Sequence, residues 1–332
     1  MVNPREKAIW GAAAALGMML PSVVSSKGRM LWIRLASCLK LVLRADKMTG
    51  SVMRSDHSVM HSPEATVTGR FAIEITPELV EAGRLYGAAG RTSPDLCESD
   101  QLLAYIIRNS ARSKSEGPVG GVAEYFENGK ADANQVDRTM SRLNLPPHCK
   151  VLEFASGYGR VSRHLKHLQL ATVDIHADAV EFLNKRIGVH AVRSTQIPEN
   201  FNPGTLYDFI FVLSFFSHLP DALFGRWLAQ LASLLNPAGK LLFTTHGETA
   251  GQKIKVLGDA LDSSSGYGFL PCSDQPQLES AIYGSSIVTP SYVIRQIYRH
   301  TGARLESFFA ARWWMLQDEW IISALPATKR SD

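Results

Sequence analysis

The stretch Val-Leu-Glu-Phe-Ala-Ser-Gly-Tyr-Gly-Arg, residues 151–160, decides the fold of this chain. Its first four residues predict a short buried strand, and Gly157 and Gly159 then form a turn that leads directly into a helix. Glycines in such a turn let the backbone bend tightly and let a ligand approach without a Cβ atom in the way. The amide groups exposed at the start of the helix favour an anionic or polar ligand group.

A second signal is Asp174, which lies 21 residues after Glu153 at the end of the next apolar run. A carboxylate at this place can accept hydrogen bonds from both ribose hydroxyls of an adenosine. The glycine turn alone could be an ordinary connection, and Asp174 alone could be a solvated acid. Their joint occurrence predicts a nucleoside crevice lined by Gly157, Gly159 and Asp174.

The rest of the chain alternates short apolar runs with amphipathic segments, which indicates an α/β fold with a doubly wound, mostly parallel, seven-stranded Rossmann-like sheet. The predicted strands are residues 151–154, 171–175, 189–193, 209–213, 241–245, 305–309 and 313–324. The predicted helices of this part are residues 159–168, 177–187, 220–235 and 291–300.

Three regions precede or interrupt this pattern. Residues 1–70 are predicted to be an apolar, basic leader with a flexible linker, and residues 71–119 an N-terminal helical cap. The cap holds predicted helices at 76–87 and 99–110, followed by a loop with glycines and Pro118 and then a helix at 132–143. The main domain is predicted at 120–325, with a polar insertion at about 251–290.

The 332 residues carry a formal net charge of +4, which is unevenly distributed. Residues 1–70 have a net charge of +6 and the remainder −2, so the body of the protein has no basic surface of the kind that follows a nucleic-acid backbone. The four cysteines are scattered and have no neighbours at metal-ligand spacing. They indicate no metal site, no disulfide framework, and a reducing compartment such as the cytoplasm.

The leader leaves several possibilities open. Ala8 to Val24 is an uncharged run of 17 residues that follows Arg5 and Lys7. Its length is at the lower limit for a membrane-spanning helix, about 17 residues. The run has three possible interpretations: a signal anchor that associates the protein with a membrane, a secretion signal, or a weakly structured leader. Nothing in the sequence indicates an oligomeric state.

The type of nucleoside cofactor follows from where the glycines stand. A dinucleotide fingerprint, G-x-G-x-x-G, would need glycine at Ala155 and Arg160 and therefore fails twice. The acid-x-G-x-G-x-G turn of class I S-adenosylmethionine-dependent methyltransferases aligns with Glu153, Ala155, Gly157 and Gly159, and only the alanine departs. Residues 120–325 resemble this superfamily through four stretches: LEFASGYGR, VDIHADAVEFL, YDFIFVLSFFSHLP and LLNPAGKLLFTTHG.

The resemblance implies S-adenosyl-L-methionine as the cofactor. By resemblance, Glu153 and the backbone near Ala155 and Gly157 would hold its amino-acid end, and Gly159 completes the same motif. Asp174 would bind the ribose and Ile175 would pack beside the adenine. The residues implied near the methionine and the acceptor are Leu213, Ser214 and Phe215.

The fourth strand is informative about the acceptor. Enzymes that methylate the amino groups of nucleic-acid bases usually have Asp/Asn-Pro-Pro-aromatic here, whereas this chain has Leu-Ser-Phe-Phe at 213–216. Cytosine C5 chemistry would need a cysteine nucleophile near this edge, and the sequence has none there. A small-molecule, sugar or lipid acceptor remains, methylated on oxygen or nitrogen, and nucleic acid is not expected.

His218 and His246 follow the fourth and fifth strands and are candidate catalytic bases, since imidazole titrates near neutral pH. Either could instead cap a helix or orient a loop. Tyr125 and Phe126 could fold over the cofactor or be core contacts. Tyr267, Tyr283 and the pair Trp313 and Trp314 could form an acceptor pocket with the insertion, although tryptophans in a closing hairpin often serve packing. Two other functions stay open at this point: an NAD(P)-dependent oxidoreductase, and a non-catalytic nucleoside-binding partner protein, which Ala155 and the leader would suit.

Overall fold

The computed structural model describes residues 73–272, residue 275 and residues 278–325. The predictions for the leader and linker, residues 1–70, lie outside these described residues. Within them, no helix combines the length and the apolar character needed to cross a bilayer.

Nine strands are described, seven of which form the central sheet. They are β1 (Lys150–Phe154), β2 (Gln169–Asp174), β3 (His190–Arg193), β4 (Tyr207–Val212), β5 (Leu235–His246), β6 (Tyr267–Leu270), β7 (Ser285–Val288), β8 (Arg304–Trp313) and β9 (Gln317–Ser323). The order in the sheet is β3-β2-β1-β4-β5-β9-β8, and β6 pairs only with β7. The first five strands are parallel, while β9 is antiparallel to both of its neighbours.

This topology confirms the predicted doubly wound, mostly parallel seven-stranded sheet. The closing hairpin distinguishes it from the dinucleotide-binding order 3-2-1-4-5-6, because the chain reaches the edge at β8 and returns to place β9 beside β5. The return brings polar residues of β9 into the middle of the sheet: His246 of β5 pairs in register with Gln317.

The helices lie on both faces of the sheet and in the N-terminal cap. They are α1 (Pro77–Gly90), α2 (Gln101–Asn109), α3 (Ala111–Arg142), α4 (Ala177–Phe182), α5 (Asp221–Ser233), α6 (Glu248–Lys253), α7 (Lys255–Asp259) and α8 (Pro290–His300). Helix α4 continues into one π-helical turn, Leu183–Ile187. The Thr76 side chain caps α1 as its Ser/Thr-Pro-Glu sequence predicts, although the helix ends three residues later than predicted.

The predicted loop around Gly117 and Pro118 is wrong. Helical structure continues through this segment, and the only interruption within α3 is Gly117, at φ 69° and ψ −165°. Pro118 then occupies the start of the second helical part, where its missing N–H has no intrahelical partner to lose. A single glycine therefore makes the kink that a whole loop was expected to provide.

The predicted helix 159–168 is also wrong, since only a 3₁₀ turn, Ser162–His164, forms there. Tertiary contacts explain the difference. The buried Arg163 guanidinium donates to the carbonyl oxygens of Ser93 and Asp95 at 3.2 and 3.0 Å and packs against two aromatic rings of α3. The Ser162 hydroxyl donates to Glu153. These bonds join the cap to β1 and favour a compact turn over a regular helix.

Both faces of β4 are buried, as its continuous apolar sequence predicts. Ile210 and Val212 pack with α5 on one side, and Phe209 and Phe211 pack with α3 on the other. This packing fixes the carboxyl ends of β1, β2 and β4 side by side at one edge of the sheet.

Candidate functional site

A pocket opens at the carboxyl ends of β1, β2 and β4, where the predicted cofactor crevice should lie. The turn after β1 reverses through three residues with left-handed backbone: Ala155 at φ 59°, Gly157 at φ 56° and Gly159 at φ 76°. This conformation costs a non-glycine residue about 1–2 kcal/mol, so Ala155 is strained. Ala155 and Gly157 both line the pocket.

The two glycines of the turn have different roles. A Cβ atom built on Gly157 would meet no atom within 4 Å, so bare backbone faces the open pocket at this residue. A Cβ on Gly159 would come within 2.8 Å of Leu183, because the turn packs directly on the helix after β2. Gly159, predicted to bind the cofactor, is therefore a packing residue and does not line the pocket.

Asp174 lies at the end of β2 and lines the pocket, where its carboxylate accepts hydrogen bonds from the backbone that follows β1 and from the backbone that follows β2. Its Oδ2 accepts the Gly157 N–H at 2.8 Å, and its Oδ1 accepts the backbone N–H of His176 at 3.0 Å. The His176 ring lies on the same oxygen, with Nδ1 at 3.0 Å, and this hydrogen bond raises the pKa of His176. Each carboxylate oxygen has two lone pairs, so acceptor capacity remains for a ribose hydroxyl.

Glu153 lies deeper, at the floor of the pocket, and is only 4% exposed. Burial raises its pKa to about 7, against the opposing effects of the Ser162 hydroxyl and the nearby Arg160 guanidinium. Arg160 also lines the pocket and pairs with Asp132 at 2.8 Å. Near neutral pH the floor therefore holds a carboxyl group that a bound cation would ionise.

These groups fit S-adenosylmethionine. Among the described residues that line the pocket, the carboxyl groups are those of Asp100, Glu153 and Asp174, and the permanent cation is Arg160. Carboxyl groups that ionise beside a bound cation complement a sulfonium and an ammonium group. Glu153 and Asp174 would hold the amino-acid end and the ribose, while the bare backbone at Gly157 allows close approach. Ile175 also lines the pocket beside Asp174.

The wall after β4 contains the three residues implied near the acceptor: Leu213, Ser214 and Phe215 all line the pocket. Ser214 has a left-handed backbone, φ 59°. Its N–H donates to Thr244 Oγ1 at 2.8 Å, and its hydroxyl oxygen accepts from the Gln317 amide at 3.1 Å. A second strained residue therefore borders the pocket, as often found at functional sites.

The two candidate bases lie close to each other, with ring centroids 6.1 Å apart, but neither contributes to the pocket wall. His218 lies behind Ser214, with Nε2 at 3.4 Å from the serine oxygen. His246 is 1% exposed and contacts the Ser286 carbonyl oxygen and the Gln317 amide at 3.1 and 3.2 Å. The catalytic role of each histidine stays a prediction.

The sequence signals found part of the remaining wall. Tyr125, Tyr283 and Trp314 line the pocket as predicted, whereas Phe126, Tyr267 and Trp313 do not. Residues 194–196 were missed, although they follow β3 at the same sheet edge and the topology rule would have pointed to them. Residues 100–102 of the cap and His176 also line the pocket. The cap reaches the pocket through contacts between residues that are distant in the sequence, and no sequence pattern predicted this packing.

A family model described as a methyltransferase domain matches residues 104–275, more than half of the chain. The chain belongs to this methyltransferase family. The class I superfamily suggested by the four motifs is thereby confirmed, and the methyltransferase uses S-adenosyl-L-methionine. The nicotinamide-dependent oxidoreductase and the non-catalytic partner protein are not supported.

Solved structures similar to the methyltransferase are also methyltransferases by their descriptions. An S-adenosylmethionine-dependent methyltransferase from Clostridium acetobutylicum is 10% identical, with a TM-score of 0.43 over 58% of this chain and 90% of that chain. Magnesium protoporphyrin IX methyltransferase from Synechocystis is 14% identical, with a TM-score of 0.43 over 61% and 87%. The CcbJ methyltransferase from Streptomyces caelestis is 15% identical, with a TM-score of 0.42 over 60% and 90%. No curated protein sequence matches the chain significantly.

Proposed function

We propose that the methyltransferase methylates an oxygen or nitrogen atom of a small molecule, a sugar or a lipid. The observation that carries the proposal is the pocket wall after β4. This chain has Ser214 and Phe215 there, whereas enzymes that methylate the amino groups of bases have an amide or acid followed by two prolines. A serine hydroxyl and an aromatic ring form no paired acceptors for an exocyclic amine. The wall suits a ligand with both apolar surface and a polar reacting group.

The apolar side of the pocket supports this proposal. Phe154, Phe215 and Trp227 form a triangle of rings with centroids 5.0–5.5 Å apart, and all three line the pocket. Leu278 and Ile282, from the predicted insertion, line the same cavity. Apolar and aromatic walls with a few polar groups are typical of small-molecule sites.

Charge also argues against a nucleic-acid acceptor. A polyanion gains affinity from arginine and lysine contacts to its phosphates. Among the described residues that line the pocket, the one arginine is Arg160, which already pairs with Asp132. An uncharged or cationic acceptor is therefore favoured over a phosphate backbone.

A cytoplasmic location is part of the proposal. Among the described residues, Cys97 and Cys149 are free thiols, which favours a reducing compartment. Association with a membrane through the leader remains a separate proposal, which a fractionation of cells expressing the full chain would test.

The test is transfer of a labelled methyl group. The full-length protein is incubated with methyl-labelled S-adenosylmethionine and a cell extract that has been separated into small molecules, lipids, nucleic acid and protein. We expect label in the small-molecule or lipid fraction, and none with the Asp174→Ala variant. Label confined to nucleic acid or protein would overturn the proposal.

A further inference from the structure

We propose that Ser214 carries the proton of the acceptor to His218 and that Gln317 is the positioning residue that holds Ser214 for this transfer. The inference rests on the proposed function and narrows its acceptor to a hydroxyl group. None of the three residues acts alone, because only the serine reaches the pocket.

His218 has the orientation that a proton acceptor needs. Its Nδ1 lies 2.6 Å from the Gly284 carbonyl oxygen, and a carbonyl only accepts hydrogen bonds, so Nδ1 carries the hydrogen. In the neutral ring, Nε2 then holds a lone pair, and this atom is the one that lies 3.4 Å from Ser214 Oγ. The Gly284 carbonyl oxygen therefore fixes the tautomer of His218, because the hydrogen bond at one ring nitrogen decides the state of the other.

Burial separates His218 from the ligand. The residue is 6% exposed, and its ring stacks on Tyr283 at 4.8 Å, so Tyr283 and Ser214 stand between the imidazole and the pocket. The titratable side chains in ring contact with His218 are Tyr283 and His246. A proton can therefore reach Nε2 from the pocket through the Ser214 hydroxyl.

Gln317 restricts the direction of that hydroxyl. Thr244 Oγ1 accepts the Ser214 N–H, so its own hydrogen donates to Gln317 Oε1 at 2.6 Å. The Gln317 amide nitrogen must then point the other way, and it donates to Ser214 Oγ at 3.1 Å. Because Gln317 supplies a donor to this oxygen, the hydrogen of Ser214 is left to donate to another neighbour. Two acceptors lie 3.4 Å from Ser214 Oγ, His218 Nε2 and Ser217 Oγ, and the relay requires the donation to His218. The Gln317 amide also donates to Ser217 Oγ at 3.1 Å. Gln317 is fully buried and held by the β5–β9 pairing, so the arrangement is rigid.

The proposed step balances in atoms and electrons. The acceptor oxygen bonds to the methyl carbon while the carbon–sulfur bond breaks and leaves its electron pair on sulfur. The acceptor's proton moves to Ser214 Oγ, and the original hydroxyl proton of Ser214 moves to His218 Nε2, which becomes an imidazolium. A neutral amine attacks through its lone pair before any proton leaves, so it needs no such path in this step, whereas a hydroxyl gains from it.

The first test is a double-mutant cycle on the full chain. Ser214→Ala and His218→Asn should each lower the rate of label transfer about 100-fold, the usual scale of acid–base catalysis, and the double variant should lose no more than either one. The asparagine amide can still donate to Gly284, which preserves the fold. Binding of S-adenosylmethionine, measured by calorimetry, should change less than about threefold. If the double variant instead lost the product of the two single losses in rate, the residues would act independently and the relay would be overturned.

The matched control is Ser286→Ala. Ser286 is more deeply buried than Ser214, and its hydroxyl donates to the Phe216 carbonyl oxygen at 3.0 Å, without contact to Ser214. We expect this variant to keep the wild-type rate. If it loses as much as Ser214→Ala, a structural effect explains both, and the relay is wrong.

A second readout needs no acceptor. In ¹⁵N-histidine NMR spectra of the protein with S-adenosylhomocysteine, neutral His218 should carry its hydrogen on Nδ1. The Nε2 resonance should shift in both Ser214→Ala and Gln317→Leu, because the first removes the serine donor and the second releases it. A hydrogen on Nε2, or an Nε2 signal unaffected by Ser214→Ala, would overturn the proposal even if no acceptor were found.

The atom that carries the methyl group in the product distinguishes a failure of the proton relay from a failure of the proposed function. Hot hydroiodic acid releases methyl groups bound to oxygen as methyl iodide under conditions that leave N-methyl groups in place. We expect the labelled product to release its methyl group. An N-methylated product would contradict the hydroxyl acceptor and leave the proposed function standing, whereas labelled nucleic acid or protein would contradict the proposed function itself.

Discussion

Replacing Glu153 with glutamine should make the protein more stable at pH 8 and a weaker binder of its cofactor. The carboxyl group is buried at the pocket floor, where it accepts a hydrogen bond from Ser162. Glutamine keeps the shape and an oxygen for this bond. It removes the negative charge that burial opposes.

The magnitude follows from the pKa of Glu153, which rises from 4.5 to about 7 on folding. The folded protein therefore holds a proton that the unfolded chain releases above pH 4.5. Stability is lost as the pH rises from 4.5 to 7, and the full cost above pH 7 is about 3 kcal/mol. The advantage of the variant should be small at pH 5 and should widen by about 2–3 kcal/mol at pH 8.

Urea unfolding followed by tryptophan fluorescence between pH 5 and 8 measures this difference. Other titrating groups, such as Asp318, whose pKa burial raises to about 6, are present in both proteins and cancel. Glu81→Gln, at an exposed residue of α1, is the control and should change stability by less than about 0.5 kcal/mol at every pH. A constant difference between Glu153→Gln and wild type across this range would refute the argument.

Cofactor binding should respond in the opposite sense. A bound cation stabilises the ionised carboxylate, so wild-type affinity for S-adenosylmethionine should rise roughly tenfold from pH 6 to pH 8 through this group. Glu153→Gln should bind more weakly at pH 8 and lose most of this pH dependence. Calorimetry at both pH values measures the effect. Equal affinities of the two proteins at pH 8 would show that Glu153 does not contribute to cofactor binding.

Three further predictions concern the turn and its partner. Ala155→Gly should stabilise the protein by about 0.5–1 kcal/mol, because relief of the left-handed strain exceeds the extra entropy of glycine in the unfolded chain; a loss of stability in urea would contradict the strain. Gly159→Ala should cost about 2–3 kcal/mol because its methyl group meets Leu183, whereas Gly157→Ala should cost about 1 kcal/mol and instead weaken cofactor binding; paired thermal melts and calorimetry distinguish them. Asp174→Ala should lower affinity for S-adenosylmethionine at least about tenfold, and unchanged binding would refute the ribose assignment.

The motifs that depend on neighbouring residues were readable from the sequence. The Thr76 cap, the buried strand β4 and the acid at the end of β2 each follow from a local pattern of polarity and backbone preference. The parallel order of the first five strands follows because right-handed crossovers leave few ways to arrange them. As a result, eight of the nine predicted cofactor residues line one pocket, and Gly159 is the exception.

Local patterns failed where distant side chains outweigh them. Residues 159–168 have helical periodicity, yet Arg163 and Ser162 make bonds to the cap and to β1 that a regular helix would not allow. Helix α3 bends at Gly117 and continues, and it packs against the cap helices α1 and α2.

The sequence by itself predicted a nucleoside-cofactor crevice at the ends of two parallel strands, because glycine and carboxylate requirements are local and fixed in spacing. Only the tertiary structure decided how the acceptor side is built. Gln317 lies 103 residues from Ser214, and the two meet because β9 runs back between β5 and β8. Hydrogen bonds between such distant residues depend on strand register, which no local pattern specifies.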